Sequence, residues 1–559
     1  MVQKTDFFAE IINSKKEITQ NSWIKTDPDI PGDKENPSGL LKDVEKQIIA
    51  LLMGGSYTQC MEFIDSLPVH VFTNLPSLLV YKATAMLFSE FPRQSILEVL
   101  SEAENCPRSD TIEGPITAIL ALLESYTGDP ETGIRLSSKA LLLIERQNLF
   151  FKNLMEHNLG VAYTLKNDLQ NANLWFEKLL LSSIQLQDFS GILASYYYIT
   201  HIRKVQGRFY DASVIYKKAL EFIQDNNLDY LPHAIKIRTG YGHLLLQWHR
   251  IDEAKYYLNK AIQLAKQTDI LYAHTAYQYL SEAFIRENDF NNALAVIHEC
   301  HQNKLGIGDL YEHIHHQHFL AMEARIQLET GGIEQAYDWL LAMGYDQLSA
   351  DDLRSNFREQ MGFFIPIAAR IFIAKGMPEK AILLLEAVIP KFIQQGANSY
   401  LIRSLNAQAA AYCAIGEPDK AIVNVIKAVK LGQCEKNLGD FIFIGRQLMP
   451  VLYEIMYSGL ATEYCSHLLS ILSSMQPENI SKSQGINPLS PREMDVLALI
   501  ARGLTNQEVA KVLFLSTNTI KSHSIKIYRK LQVNNRNQAV SKARLLGILP
   551  NNLATTLRN

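Results

Sequence analysis

Glycine and proline are scarce in this chain, at 28 and 19 among 559 residues. So few turn-formers argue against many-stranded β architectures and proline-rich chains, and favour long helices with short connections. Cysteine is sparse too. The six (Cys60, Cys106, Cys300, Cys413, Cys434 and Cys465) stand alone, with no CxxC pair. That pattern argues against zinc ribbons and disulfide frameworks and fits a reducing compartment. There is no run of 18 apolar residues. The nearest, Met361–Ala374, contains Pro366 and Arg370, so no membrane span is expected. The opening MVQKTDFFAEIINSKK has too short an apolar stretch for a secretory signal, and the protein is expected in the cytoplasm. A GxxxxGK[ST] phosphate loop and a G-x-S-x-G nucleophile frame are also missing. No catalytic constellation, cofactor or metal site is expected, and the chain does not read as an enzyme.

What is present is a charge asymmetry. The net charge of −4 is unevenly shared. From Gly485 to Asn559 there are eleven Lys/Arg against three Asp/Glu, a net of +8, which leaves −12 on the rest. A small basic piece on an acidic body points to a polyanion partner for the basic piece.

The acidic body repeats. From about Leu41 to Gln476 apolar residues fall at i, i+3, i+4 and i+7, as in ASVIYKKALEFI from Ala212 and EAKYYLNKAIQLA from Glu253. A small residue near a helix start recurs at Cys60, Ser95, Gly133, Ala172, Ala212, Ala254, Ala293, Ala336, Ala381 and Ala421, at steps of 35 to 45 residues. Gly133/Ala140, Ala212/Ala219, Ala254/Ala261 and Ala421/Ala428 add a second small residue two turns later, on the same face. Turn signals precede several of them: KND (166–168), QGR (206–208), END (287–289), TGG (330–332), AKG (374–376) and IGE (415–417). Small residues let helices approach closely, and a recurring helix–turn–helix unit is the signature of stacked hairpins. The body resembles tetratricopeptide repeats with a somewhat long period. The expected fold is all-α, a TPR-like superhelical solenoid of about ten hairpins.

Three helix starts are written into the basic piece. In LSPREM, Ser490 is the N-cap, Pro491 is at N1 and Glu493 closes a capping box. In LTNQEV, Thr505 and Glu508 form another. In LSTNTI, Ser516 is the N-cap. Leu489, Leu504 and Leu515 each precede a cap, placed to staple onto Met494, Val509 and Ile520. Gly503 ends the first helix, and a fourth is expected over about Asn537–Leu546. Two helices joined by a short turn, the second of them basic, make a helix-turn-helix. On the third helix Ile520, Ile527 and Leu531 form an inward stripe. Asn518, Ser522, Ile525 and Arg529 share another face, flanked by Lys521, Lys526 and Lys530.

The stretch LSPREMDVLALIARGLTNQEVAKVLFLSTNTIKSHSIKIYRKLQVNNRNQAV resembles the LuxR-type helix-turn-helix domain of bacterial transcription regulators. The likeness covers Leu489 to Leu549. It implies that the third helix enters the major groove of double-stranded DNA with Lys521 and His523 near it. The DNA-binding residues expected are then Asn518, Thr519, Lys521, Ser522, His523, Ile525, Lys526, Arg529 and Lys530. The sequence departs from the family in three places. Lys526 stands where Asn is common, Gln532 where Gly is common, and Ile525 at a position often polar. An apolar Ile525 suits a thymine methyl. Helical repeats followed by this domain resemble the C-terminal half of the MalT-like regulators. Without a phosphate loop in the sequence, that family's ATP-dependent switching is not expected here.

The organisation expected is a polar lead-in over 1–40 (with one short helix at Phe7–Lys15), a repeat domain over 41–475, a linker over 476–488, the DNA-binding domain over 489–550 and a tail over 551–559. The His-rich YEHIHHQH (311–318) reads as a solvated or partly packed helix rather than a metal site. Tyr196–Tyr198 read as core and hairpin packing rather than ligand contacts. The function expected is a sequence-specific transcription regulator that binds DNA as a dimer and contacts RNA polymerase. Its repeats would sense an effector small molecule or protein. The alternative is an interaction scaffold whose helix-turn-helix serves assembly.

Overall fold

The computed structural model describes residues 37–475, apart from short breaks at 55, 68–74, 90, 107–111, 128, 145–147, 167, 268–272, 303–308 and 356–360, and residues 489–545 apart from 502 and 514. The Phe7–Lys15 helix and the linker expectation lie outside the described residues. Among the described residues there is no strand. No described helix is long and apolar enough to cross a membrane.

Helices pair in sequence as hairpins, from Ser77–Phe88 with Arg93–Glu104 to Asn398–Ala414 with Pro418–Gly432. Local chemistry starts and stops them. Asp129, Asp168 and Asp188 accept backbone N–H groups of the following turn, caps worth about 1 kcal/mol each. At the turns flagged in the sequence the chain takes positive φ at Gly207, Asn288, Gly331, Gly376 and Gly416. His249 does the same, at a turn with no glycine to mark it.

The recurring small residues are the contact points. Cys60, Ala172, Ala212, Ala254, Ala293, Ala336, Ala381 and Ala421 are fully buried, and each lies early in its helix. One position is corrected. In the Arg93–Glu104 helix Ser95 is half-buried and Ile96 is buried. Ile96 N donates to Pro92 O, the bond that Ala172 N makes to Asp168 O and Ala212 N to Arg208 O. Here a bulky isoleucine takes the position that a small residue holds in the other units.

First helices of successive hairpins pack on one another, as Phe189–Val205 does on Pro232–Gln247. They carry the buried polar residues on an inner wall. The wall curls back on itself: Asn398 Nδ2 donates to Gln206 O at 3.0 Å and Trp248 Nε1 to Glu435 O at 2.9 Å. The chain then enters its own interior. After the Pro418–Gly432 helix, residues 433–448 run along the inner wall as short 3-10 and α turns. Phe441, Ile442, Phe443 and Ile444 are buried there. Phe443 lies between the guanidinium groups of Arg325 and Arg403, 4.3 and 4.2 Å from its centroid, and its carbonyl accepts from Arg370 Nη1 at 3.0 Å. Gly439 sits close against Gln247: a Cβ there would fall 2.0 Å from Gln247 Oε1 and 3.0 Å from its Cα. The concave surface expected of a solenoid is therefore partly filled by the chain itself.

Candidate nucleic-acid interface

Four helices form the basic piece: Pro491–Ala501, Asn506–Leu513, Thr517–Lys530 and Arg536–Leu545. The caps form as the sequence implies. Ser490 N donates to Glu493 Oε2 at 2.6 Å while Glu493 N donates to Ser490 Oγ at 3.3 Å. Thr505 and Glu508 repeat this at 2.7 and 3.4 Å. Thr519 N donates to Ser516 Oγ at 3.1 Å. Leu489, Leu504 and Leu515 pack against a core of Val496, Leu497, Leu499, Ile500, Val509, Ile520, Ile527, Leu531, Ala539 and Ala543. This core fixes which side of the Thr517–Lys530 helix turns outward. Gln532 takes φ 53°, the left-handed region that glycine enters most easily, which explains why glycine is common there in the family.

Ile520, Ser524 and Ile527 face inward, and Ser524 Oγ donates to Ile520 O. Asn518, Lys521, Ser522, Ile525, Lys526 and Arg529 are exposed together. Ile525 is 66% exposed, a large apolar side chain on an otherwise polar and basic face. Three expected residues are placed differently. Thr519 Oγ1 lies 2.7 Å from Ser516 Oγ, within the cap. His523 is half-buried. Lys530 Nζ reaches Glu493 at 2.6 Å, back across the domain. Burial raises the Glu493 carboxyl, but the bonds from Lys530 and Ser490 outweigh it and hold the group below the usual carboxylate range.

Two arginines not singled out from the sequence as site residues set the frame. Arg536 Nη2 donates to Ile500 O and Leu504 O, both at 2.7 Å, tying the fourth helix to the end of the first. Arg492 Nη2 donates to Leu513 O at 2.7 Å, tying the first helix to the end of the second. Capping by side chains so distant in sequence leaves no local signal. The exposed face itself matches what major-groove readers present: bases for phosphates, with polar and apolar groups for base edges.

Comparison with known proteins places both parts. Residues 114–457 match the MalT-like TPR region, more than half of the chain. The chain belongs to the MalT-like TPR family. Residues 487–543 match the bacterial regulatory proteins of the luxR family. The HTH-type transcriptional regulator MalT of Serratia proteamaculans is 23% identical over 526 residues, which cover 87% of this chain and 56% of that protein. The protein of the same name from Yersinia enterocolitica is 21% identical over 547 residues, 91% of this chain and 58% of its own length. The chain thus spans somewhat more than half the length of these curated relatives.

Among the described residues no group of three or more His, Cys, Asp or Glu is arranged to hold a metal ion. The side chains of His313 and His315 lie outside the described residues; His316 is 5.7 Å from His301, and His318 stacks on Phe363. Tyr196 is buried near Phe222, and Tyr198 stacks on Phe176 at 4.4 Å. Tyr197 lies beside His201 and His233.

Proposed function

We propose that this MalT-like TPR family member is a sequence-specific, DNA-binding transcription regulator of the cytoplasm and not an enzyme. The observation that carries this reading is the outer face of the Thr517–Lys530 helix. Lys521, Lys526 and Arg529 are exposed beside Asn518, Ser522 and Ile525, on a helix anchored by a buried stripe. Lys521, Lys526 and Arg529 lie on phosphates, while Ser522 and Ile525 read base edges. Thr519 shapes the helix start, and Lys530 steadies the first helix through Glu493. One module of this size buries only about 600–1,000 Å² on DNA, so two copies bind, at paired half-sites, with RNA polymerase as the downstream partner. The repeats sense an effector and alter how the basic piece is presented. The names of the curated relatives support this reading. No cofactor enters it.

The test is a mobility shift of the full chain on genomic fragments at two salt concentrations. Log affinity should fall linearly with log salt, by about 0.9 per phosphate neutralised, with some fragments strongly preferred. Weak binding without preference would favour the assembly scaffold.

A further inference from the structure

Where the wall closes on the segment that follows the last hairpin, it leaves an open cleft of about 810 Å³, within the roughly 300–1,000 Å³ of small-molecule sites. Three parts of the chain far apart in sequence line it. Tyr210 and Trp248 come from the turns around the Phe209–Asp225 and Pro232–Gln247 helices, Lys436 from the 433–438 segment, and Glu463 from the Thr462–Ser474 helix. The segment is pinned on both sides of Lys436. Before it, Glu435 accepts Tyr210 N at its carboxylate and Trp248 Nε1 at its carbonyl, both at 2.9 Å. After it, the Asn437 carbonyl accepts the Tyr464 hydroxyl. Lys436 is thereby fixed in the cleft by its two neighbours.

Three features of the lining do nothing for the fold. Lys436 takes φ 51°, a left-handed conformation that costs a non-glycine residue energy and tends to gather at binding sites. Its ammonium is exposed and, among the described residues, makes no hydrogen bond or ion pair. Glu463 is exposed and equally unengaged among the described residues, so the two opposite charges share one cleft without pairing. Arg250, also on the lining, is by contrast already held by Glu253. The third feature is aromatic. The Tyr210 and Trp248 rings lie 5.4 Å apart at 38°, and Tyr210 remains 44% exposed, so the tilted pair leaves ring surface open. Opposite charges gain little from each other across water. A ligand that displaced the water would gain a charge-assisted hydrogen bond from each and stack on the rings.

We infer that this cleft binds a small zwitterion with an aromatic side group, an aromatic α-amino acid. Lys436 takes the carboxylate, Glu463 takes the ammonium, and Tyr210 with Trp248 takes the ring. This deepens the proposed sensing role and rests on it only for the consequence of binding, not for the site.

The experiment is titration calorimetry of the full chain with L-tryptophan, L-tyrosine and L-phenylalanine. The best of them is then compared with its amine, which lacks the carboxylate, with its deaminated acid, and with glycine, which lacks the ring. In the same samples, iodoacetamide alkylation of Cys434, the exposed cysteine of the cleft, is followed by peptide mass spectrometry, and DNA affinity is measured. The amino acid should bind about ten-fold tighter than its amine or its acid, glycine should not bind, and Cys434 should be alkylated several-fold more slowly while Cys106 is unaffected. Lys436→Gln should erase the preference over the amine and Glu463→Gln the preference over the acid, both with native Tm, because neither side chain has a partner to lose. The site is overturned if none of the three amino acids protects Cys434. It is overturned too if the truncated compounds bind as tightly, or if both variants keep the native preferences. Protection of Cys434 with unchanged DNA affinity would leave the site standing and sink the sensing role.

Discussion

Asp440 is the residue on which the filling of the inner wall depends. It is fully buried, in the segment that follows the last repeat hairpin. Its carboxylate accepts Ser399 Oγ at 2.6 Å, Asn437 Nδ2 at 2.7 Å, and Arg403 Nε and Nη2 at 3.1 and 2.7 Å. Asp440→Ala would leave the nearly buried Arg403 guanidinium without its counter-charge and two further donors without an acceptor. Breaking a buried ion pair on one side costs about 3–5 kcal/mol. Residues 114–457 number 344. At about 2.1 cal/mol/K per residue their unfolding entropy is roughly 0.7 kcal/mol/K. The expected fall in Tm is therefore about 4–7 °C if the repeats melt as one unit. The assay is circular dichroism of the full chain at 222 nm. Arg403→Met in the Asp440→Ala background should recover part of the loss, because an apolar pair replaces an orphaned charge. A Tm within 1 °C of native for Asp440→Ala, or strictly additive losses in the double variant, would refute this account of the segment.

Other consequences can be checked separately. Lys521→Ala should weaken DNA binding across sequences and flatten the salt slope by about 0.9; a changed sequence preference with the slope intact would show that Lys521 reads bases. Changing Ser522 or Ile525 should alter the preferred sequence, by about 1–3 kcal/mol per base pair, as read in a selection of randomised sites. Glu493→Ala removes half a capping box and the partner of Lys530, and hydrogen exchange should show the Pro491–Ala501 helix opening more easily by about 2 kcal/mol. Acid should destabilise the repeats. Burial, then Lys236, holds folded His157 at about 4, and burial, then Arg286 and His467, holds His249 at about 4. Below pH 6.5 the unfolded chain takes up protons that these imidazoles refuse, so stability present above pH 6.5 is lost as pH falls toward 4. Melts at pH 7, 6 and 5 should show a declining Tm, and a flat profile would contradict it.

The sequence was most legible where the physics is local. Ser490/Glu493, Thr505/Glu508 and Ser516 make their bonds within four residues, so the caps could be read directly. The small residues of the repeats were legible because one packing requirement recurs about every forty residues. Ser95 was misread for Ile96 because this unit carries a bulky residue where the others carry a small one. The bond from Lys530 to Glu493 was not legible because that partner lies 37 residues away. Arg536 and Arg492 went unrecognised as frame-setting for the same reason. Their acceptors are backbone carbonyls, which every residue has and which carry no sequence mark.

The largest difference lies in the solenoid's interior. Periodicity implies a continuous concave face and says nothing of what occupies it. The segment Gly439–Ile444 reads as another short apolar run. Its role shows only in contacts with Arg325, Arg370 and Arg403, which lie on first helices of three different hairpins. That segment gives Arg370 a carbonyl, Arg403 a carboxylate and both Arg325 and Arg403 an aromatic face, and so ties three hairpins together.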